Sequence, residues 1–139
     1  MEKILVSACL LGVNCKYNGG NNYNENIEEY LRDKEIIPIC PEIYGGLPTP
    51  RVPSEIRNNK VFTEDNIDVT ENFKKGAEET LKLAKRLGVT KALLKSKSPS
   101  CGYKKIYDGT FTNQLIDGNG ITTRLLLENG FEILTEKDF

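Results

Sequence analysis

The feature that most constrains the fold is a short, nearly continuous apolar run close to the N-terminus, KILVSA at residues 3–8. It lacks the alternation of apolar and polar residues that marks a strand with one face in water. Such a run is typical of a strand covered on both faces, as in a parallel sheet. Pro38 in a later segment indicates an edge strand or a strand end. The sequence predicts four strands, at residues 3–8, 35–40, 91–95 and 131–135.

The segments between these strands show the periodicity of helices. Residues 68–71, DVTE, form a capping-box pattern in which Asp68 caps the first turn and Glu71 reaches back to it. Shorter helices are predicted at residues 26–34 and 120–129. The helix that follows Asp68 is predicted to end at Gly88 and to bury a stripe of Phe73, Ala77, Leu81, Ala84 and Leu87.

The alternation of strands and helices predicts an α/β fold. We expect a single Rossmann-like three-layer domain over residues 1–139, with a mostly parallel sheet flanked by helices. A chain of 139 residues matches one ordinary domain. Residues 41–60 contain four prolines and are predicted to form an ordered active-site segment without a regular element. Residues 96–120 are predicted to form a loop.

Charge and hydropathy restrict the partners and the compartment. The chain contains 19 Lys and Arg residues and 20 Asp and Glu residues. The resulting net charge of -1 gives no whole-protein electrostatic field that would attract nucleic acid or membranes. The apolar stretch at residues 4–13 follows an acidic residue and precedes NCKYNGG, so we interpret it as a buried strand and not as a signal peptide. No apolar run approaches the roughly 20 residues of a membrane span. These features predict a cytoplasmic protein, in which thiols stay reduced.

Three of the four cysteines follow predicted strands. Cys9 lies where the first strand ends, Cys40 ends the second, and Cys101 follows the third by a few residues. The carboxyl ends of parallel strands meet at one edge of the sheet, where open α/β folds bind ligands. We therefore expect these three thiols to converge in space.

Several interpretations of the converging thiols are open. Three groups cannot all form disulfides, and isolated buried cysteines are a plain alternative. The segments SPSCGY and CPE are typical of functional loops, however. Zinc sites usually show CxxC pairs, which this chain lacks together with histidine. Scattered thiolates favour an iron–sulfur cluster with one iron open as a Lewis acid. Cys15 could be a fourth ligand, a neighbouring thiol or a persulfide relay, and we predict that it is not a ligand.

Six co-linear segments, SACLLGVNCKYNGG, CPEIYGGLPTPR, DVTENFKKGA, LLKSKSPSCG, IYDGTF and GNGITTRLL, together resemble the thiouracil desulfidase family, from residue 7 to about residue 130. The resemblance implies a 4Fe-4S cluster with three cysteine ligands, which would be Cys9, Cys40 and Cys101. It also implies removal of sulfur from 2-thiouracil or a related thiolated nucleobase, giving the oxo base and sulfide. One departure is CKYNG, with Lys16 and Asn18, where the family pattern CRYDG is expected.

Three residues near the predicted thiols are candidates for proton transfer. Glu42, two residues past Cys40, is predicted to activate water or to shuttle protons. The alternative is an ion pair with Arg51 or a solvated carboxylate. Ser98 and Ser100 could donate to a bound oxygen or to cluster sulfurs, and the alternative is turn capping.

The substrate-binding predictions rest on aromatic and cationic side chains. Tyr17 and Tyr44 could stack on a pyrimidine, and Arg51 could make a bidentate contact to a base edge, a carboxylate or a phosphate. The expected substrate is a thiolated pyrimidine base or nucleoside, with thiolated tRNA as an alternative. The oligomeric state stays open. Four lysines flank the Cys101 loop as a solvated basic rim or a phosphate site: Lys95, Lys97, Lys104 and Lys105.

These patterns together predict an iron–sulfur-dependent, non-redox desulfidase. A non-catalytic iron–sulfur sensor or sulfur carrier is the alternative, because such a protein needs the same cysteines. An enzyme that uses Cys101 as a nucleophile without a metal fits poorly, since the chain has no histidine to act as the partner base.

Overall fold

The computed structural model describes residues 1–139. Its strands are short, and four of them form the central sheet. In chain order the strands are β1 (Glu2–Ser7), β2 (Lys34–Ile39), β3 (Ser54–Arg57), β4 (Lys60–Thr63), β5 (Lys91–Leu94), β6 (Lys105–Tyr107), β7 (Leu115–Asp117) and β8 (Glu132–Thr135).

The helices include one long amphipathic helix and several single turns. In chain order they are α1 (Glu28–Leu31), α2 (Pro41–Tyr44), α3 (Thr70–Leu87) and α4 (Ile121–Glu128), with 3-10 helices at Ala8–Leu11, Glu25–Ile27 and Glu136–Asp138. None of the helices is long and apolar enough to cross a membrane.

The central sheet has the strand order β2-β1-β5-β8, and every neighbouring pair is parallel. Alternate residues of β1 enter two different apolar clusters: Leu5 packs with Ala84 of α3 and Leu126 of α4. Ile4 packs on the other side with Leu31 of α1. The sheet is therefore covered on both faces, which confirms the predicted three-layer α/β fold and explains why β1 is apolar without alternation.

β2 is an edge strand of this sheet, as Pro38 indicated. A proline has no N–H to donate, so it is tolerated where a second neighbouring strand is absent. Ile36 and Pro38 are exposed, whereas Ile39, at the end of the strand, is buried. The strand thus becomes buried as it approaches Cys40.

The prediction that residues 41–60 lack a regular element was wrong. The segment contains the single-turn α2, the whole of β3 and the first residue of β4. β3 and β4 form an antiparallel hairpin. Its two turn residues, Asn58 and Asn59, have φ values of 52° and 63°, respectively. Two successive residues with positive φ are typical of a tight hairpin turn, and Asn tolerates that conformation.

The prediction of an unbroken loop over residues 96–120 was also wrong, because β6 and β7 pair there as an antiparallel hairpin. The helix expected at residues 26–34 is shorter, a 3-10 turn followed by α1. The capping pattern before α3 is half correct. The Asp68 carboxylate accepts a hydrogen bond from Thr70 N at 2.9 Å, but no contact of Glu71 completes the box.

Two glycines allow α2 to lie directly on α3. A Cβ on Gly45 would come within 2.0 Å of Asn72 O, and a Cβ on Gly76 would come within 1.9 Å of Pro41 O. Any larger residue would force the two backbones apart. This close approach fixes the position of α2, which carries Glu42 and has Cys40 as its N-cap residue.

Candidate functional site

A cavity of about 370 Å³ lies at the carboxyl edge of the sheet. Its lining includes all four cysteines of the chain, Cys9, Cys15, Cys40 and Cys101. A volume of this size falls at the lower end of the range for small-molecule sites. The geometry thus brings together thiols that are as far as 92 residues apart in the sequence, Cys9 and Cys101.

Three different elements position the strand-end thiols. Cys9 lies in the 3-10 helix that follows β1, and Cys40 is the residue that caps the N-terminus of α2. Cys101 lies in the loop after β5, and its backbone N–H donates to Ser98 Oγ at 2.8 Å. Ser98 therefore acts as a turn cap for the Cys101 loop, which is the alternative that the sequence left open.

All four thiols are free, and none forms a disulfide. No three Cys, Asp or Glu side chains come close enough to hold a single metal ion. A mononuclear site such as structural zinc needs its ligands around one centre. A polynuclear cluster is different, because each thiolate binds a different iron and the sulfurs lie farther apart.

Burial and mutual contacts set the acidity of the thiols. The loss of solvation raises the pKa of Cys101 to about 12 and also raises that of Cys9. Cys15 and Cys40 share a hydrogen bond that lowers the pKa of Cys40 to about 7 and raises the pKa of Cys15. Cys40 is therefore the thiol that becomes a thiolate most readily, and the thiolate is the form that binds metals.

Glu42 connects the cavity to two neighbours. Its Oε1 accepts from Arg51 Nε at 2.9 Å, and its Oε2 accepts from Ser100 Oγ at 2.8 Å. Ser100 Oγ lies 3.7 Å from Cys101 Sγ and 3.4 Å from Ser98 Oγ. The carboxylate is thus held on one side by a cation and on the other by a hydroxyl that touches a cavity thiol.

Arg51 lines the cavity and uses four of its five N–H groups within the protein. Besides Glu42, its guanidinium donates to Pro48 O at 3.2 Å, Thr49 Oγ1 at 3.1 Å and Cys15 O at 2.9 Å. Only 7% of its side chain is exposed. One Nη2 N–H has no partner, so the predicted bidentate contact to a substrate would replace one of these bonds; within the protein, Arg51 positions Glu42 and the Cys15 loop.

Arg51→Met should lower the free energy of unfolding by about 3 kcal/mol, because it leaves the largely buried Glu42 carboxylate without its cation. Urea denaturation of the metal-free protein measures the change. Arg32→Met is the matched control, since the Arg32–Glu29 pair is 72% and 82% exposed. The control should change the free energy by no more than about 0.5 kcal/mol. Equal effects of the two substitutions would contradict a positioning role for Arg51.

The other predicted substrate-binding residues divide into two groups. Tyr17, Lys95 and Lys97 line the cavity. Tyr44 does not line it, and its hydroxyl lies 3.4 Å from Pro38 O. Lys104 and Lys105 also lie outside the lining. The Lys104 ammonium lies 5.1 Å from the centroid of the Tyr103 ring, and the Lys105 ammonium lies 2.5 Å from Asp117 Oδ1.

Two groups of residues in or next to the cavity were missed from the sequence; the first is Glu136, which is not part of the lining but bonds to the lining residue Ser96. Glu136 is buried and accepts from Ser96 N and Ser96 Oγ, and it lies 3.2 Å from the Lys95 ammonium. Burial alone would raise its pKa, but these hydrogen bonds and the ammonium lower the pKa. Glu136 carries no local pattern that predicts this contact. Phe111 and Glu55 form the second group and line the cavity. The motif IYDGTF, which ends at Phe111, was the sequence feature that could have indicated Phe111.

Comparisons with known proteins agree with this geometry. A family profile described as 2-thiouracil desulfurase matches residues 4–138. YbbK of Bacillus subtilis (strain 168) is 39% identical over 97% of this chain and 96% of its own length. The solved structure of TudS, a [4Fe-4S]-dependent thiouracil desulfidase, matches with a TM-score of 0.93 and 42% identity, over 100% of this chain and 93% of TudS.

Proposed function

The chain belongs to the 2-thiouracil desulfurase family, and we propose that it is an iron–sulfur-dependent desulfidase. Its proposed substrate is 2-thiouracil or a related thiolated pyrimidine, and its products are the oxo base and sulfide. The observation that carries the proposal is the cavity in which Cys9, Cys40 and Cys101 meet the Ser100–Glu42 hydrogen bond. That cavity combines soft metal ligands with a group that can move a proton.

The donor set fits a 4Fe-4S cluster held by Cys9, Cys40 and Cys101. The three thiols are reduced, they come from separate elements, and they are too widely spaced to share one ion. Thiolates without histidine are the ligands of such clusters. When bound through three cysteines, the cluster supplies an iron without a protein ligand, which acts as a Lewis acid toward the sulfur of a C=S bond.

The reaction that we propose is a hydrolysis. Water supplies the oxygen that replaces sulfur on the ring carbon, and its two protons balance the sulfide that leaves. No electrons are gained or lost, so the reaction needs no reductant. The protein must therefore provide a group that accepts a proton from water and returns it later.

Glu42 and Ser100 are the groups placed for this proton transfer. Arg51 holds Oε1 of Glu42, which leaves Oε2 for the Ser100 hydroxyl. A proton taken from water can reach Oε2 directly or through Ser100 Oγ, because the two oxygens are 2.8 Å apart. The fixed carboxylate needs no rearrangement before it accepts the proton. Ser98 supports this arrangement through the Cys101 loop.

The size of the cavity favours a free base or a nucleoside over a larger substrate. Its volume of about 370 Å³ must hold the proposed cluster as well as the substrate, which leaves room for a single pyrimidine ring with few substituents. The wall has no uniform positive charge for a polynucleotide, because its basic residues Lys16, Arg51, Lys95 and Lys97 are accompanied by Glu42, Glu55 and Glu64.

We expect the wild-type protein, reconstituted with iron and sulfide without oxygen, to be brown and to release sulfide from 2-thiouracil with an equal amount of uracil. A colorimetric sulfide assay and chromatography of the base measure the two products. Parallel assays with 2-thiouridine and thiolated tRNA define the substrate class. Colour without sulfide release would favour a sensor or sulfur carrier. Colourless protein with stoichiometric zinc would contradict the cofactor.

A further inference from the structure

Phe111 has a backbone conformation that bulky residues rarely adopt. Its φ is 58°, in the left-handed region, where a Cβ is crowded against the backbone. Seven non-glycine residues of the chain have positive φ; four are Asn, two are Lys, and Phe111 is the only aromatic one. Asn accepts this region through local hydrogen bonds, but a phenylalanine gains nothing comparable. Such strain persists only where the surrounding structure enforces it and is often found at functional sites.

Hydrogen bonds to Glu55 enforce the conformation of Phe111. Glu55 Oε1, on β3, accepts from Gly109 N at 3.0 Å and from Phe111 N at 3.1 Å. Two charge-assisted hydrogen bonds to one carboxylate oxygen hold this short segment firmly. Glu55 has no ion-pair partner in the protein, so these backbone groups are the ones that satisfy it.

The segment around Phe111 also lies flush against β3. A Cβ on Gly109 would come within 2.7 Å of Ile56 O and 2.9 Å of the Arg57 Cβ, so a side chain there would lift the segment off the strand. The Asp108 carboxylate accepts from Thr110 N at 3.0 Å and closes the turn before Phe111. The motif IYDGTF therefore builds a rigid turn whose last residue is the strained phenylalanine.

Phe111 and Glu55 both line the cavity that contains the thiols. An aromatic residue whose backbone is held by a carboxylate, at the wall of a substrate-sized cavity, offers the surface that a flat ring requires. Tyr17 also lines this cavity, but it is 41% exposed and the Lys16 ammonium lies 5.7 Å from its ring centroid. Tyr44 lies outside the lining. Tyr107, on β6, is the third aromatic residue of the lining, and Phe111 is the one of the three whose backbone is held at positive φ.

We propose that Phe111 is the platform on which the pyrimidine ring of the substrate stacks, and that Glu55 is the positioning residue that holds it. This inference rests on the proposed function, because it names the ring-binding surface of the same site. Stacking of a base on an aromatic side chain requires no particular pattern of ring substituents. The platform therefore selects cyclic, planar thiocarbonyl compounds over acyclic ones.

Replacement of Phe111 by glycine separates stacking from folding. Glycine adopts positive φ without strain, so Phe111→Gly removes the ring while it relieves the backbone. We expect KM for 2-thiouracil to rise about 5- to 100-fold, kcat to change less than about twofold, and the melting temperature to stay within a few degrees. Phe111→Tyr keeps the platform and should retain the wild-type KM.

The Glu55 variants test the positioning role. Glu55→Ala should raise KM in the same direction as Phe111→Gly, whereas Glu55→Gln keeps an acceptor oxygen and should restore most of the affinity. Phe139→Ala is the matched control, because Phe139 lies outside the cavity lining and packs on Tyr30. It should leave KM unchanged.

Saturation-transfer NMR with uracil gives a readout that needs no turnover. The wild type should transfer magnetisation to the uracil ring protons, and Phe111→Gly should lose most of this signal. Unchanged KM and unchanged transfer in Phe111→Gly would overturn the inference, as would a loss confined to Tyr17→Ala. The two failures can be distinguished. If the proposed function is wrong, the wild type releases no sulfide, but the NMR comparison still tests whether a pyrimidine ring stacks on Phe111.

Discussion

Cys101→Ser should leave the reconstituted protein without the visible absorbance of an iron–sulfur cluster and should lower sulfide release from 2-thiouracil at least about 100-fold. Loss of a residue that merely supports a metal ligand costs 10- to 100-fold, and loss of a ligand itself costs more. Cys9→Ser and Cys40→Ser should have the same effect, because each thiolate would bind a different iron of the proposed cluster. Iron and sulfide analysis, together with the anaerobic visible spectrum, measures the result.

Cys15→Ser is the matched control for the three ligand variants. Cys15 lines the same cavity and is as well buried as Cys101, with exposed fractions of 8% and 4%. Its carbonyl already binds Arg51. We predict that Cys15→Ser retains the visible absorbance of the cluster. Loss of the cluster in Cys15→Ser, with full retention in one of the other three variants, would mean that the ligand set is wrong.

The central fold could be predicted because its signals are local. β1 is apolar without alternation, since both of its faces are buried, and the α3 stripe has helical spacing. The parallel topology then follows from the alternation of elements. It also brings the three strand ends to one edge, so the shared cavity of Cys9, Cys40 and Cys101 follows from topology before any side chain is placed.

The two hairpins were missed because their short strands lie outside the alternation of strands and helices, whereas β5 and β8, also of four residues, each follow a helix, α3 and α4. A strand of this length has no periodicity to detect, and it is stable only when its partner is present. The adjacent Asn58 and Asn59 were the one local signal for the first hairpin. The β6–β7 hairpin spans an Asp-Gly-Thr turn region that closes through contacts with Glu55, 54 residues earlier in the chain.

The role of Arg51 depends on contacts between distant segments. Its local sequence, PTPR, is equally compatible with a surface cation and with a substrate ligand. The structure decides against a surface cation, because only 7% of the side chain is exposed and the guanidinium contacts the Cys15 carbonyl, 36 residues away, and the Glu42 carboxylate at the same time. The position of Tyr44 was also not evident from its local sequence. Tyr44 is four residues from Cys40, yet Cys40 lines the cavity and Tyr44 does not.

Stability and function compete in this cavity. Phe111 holds a strained backbone, and the Glu42 carboxylate is held away from bulk water. Both features lower the free energy of unfolding, and each has a role in the proposed chemistry. The close approach of Gly45 and Gly76 and the bonds of Arg51 offset that loss and keep the site rigid.

Glu42→Gln should lower kcat for desulfurisation about 10²- to 10⁴-fold, the range for loss of a general base, while the cluster absorbance and the fold are retained. The amide has the same shape as the carboxylate, so it can still accept from Arg51 Nε through its oxygen. What the amide cannot do is accept a proton from water. KM should change little, because Glu42 acts on the reacting water and not on the pyrimidine ring.

Glu64→Gln is the matched control for Glu42→Gln. Glu64 also lines the cavity, but it is exposed and forms no side-chain hydrogen bond or ion pair. The same loss of one negative charge at Glu64 should change kcat less than about twofold. Single-turnover measurements separate the chemical step from product release and show which one each substitution slows. If both substitutions lowered kcat equally, the effect would come from the charge of the cavity. A loss confined to Glu42→Gln, with the cluster intact, assigns the proton transfer to the carboxylate that Arg51 and Ser100 hold in place.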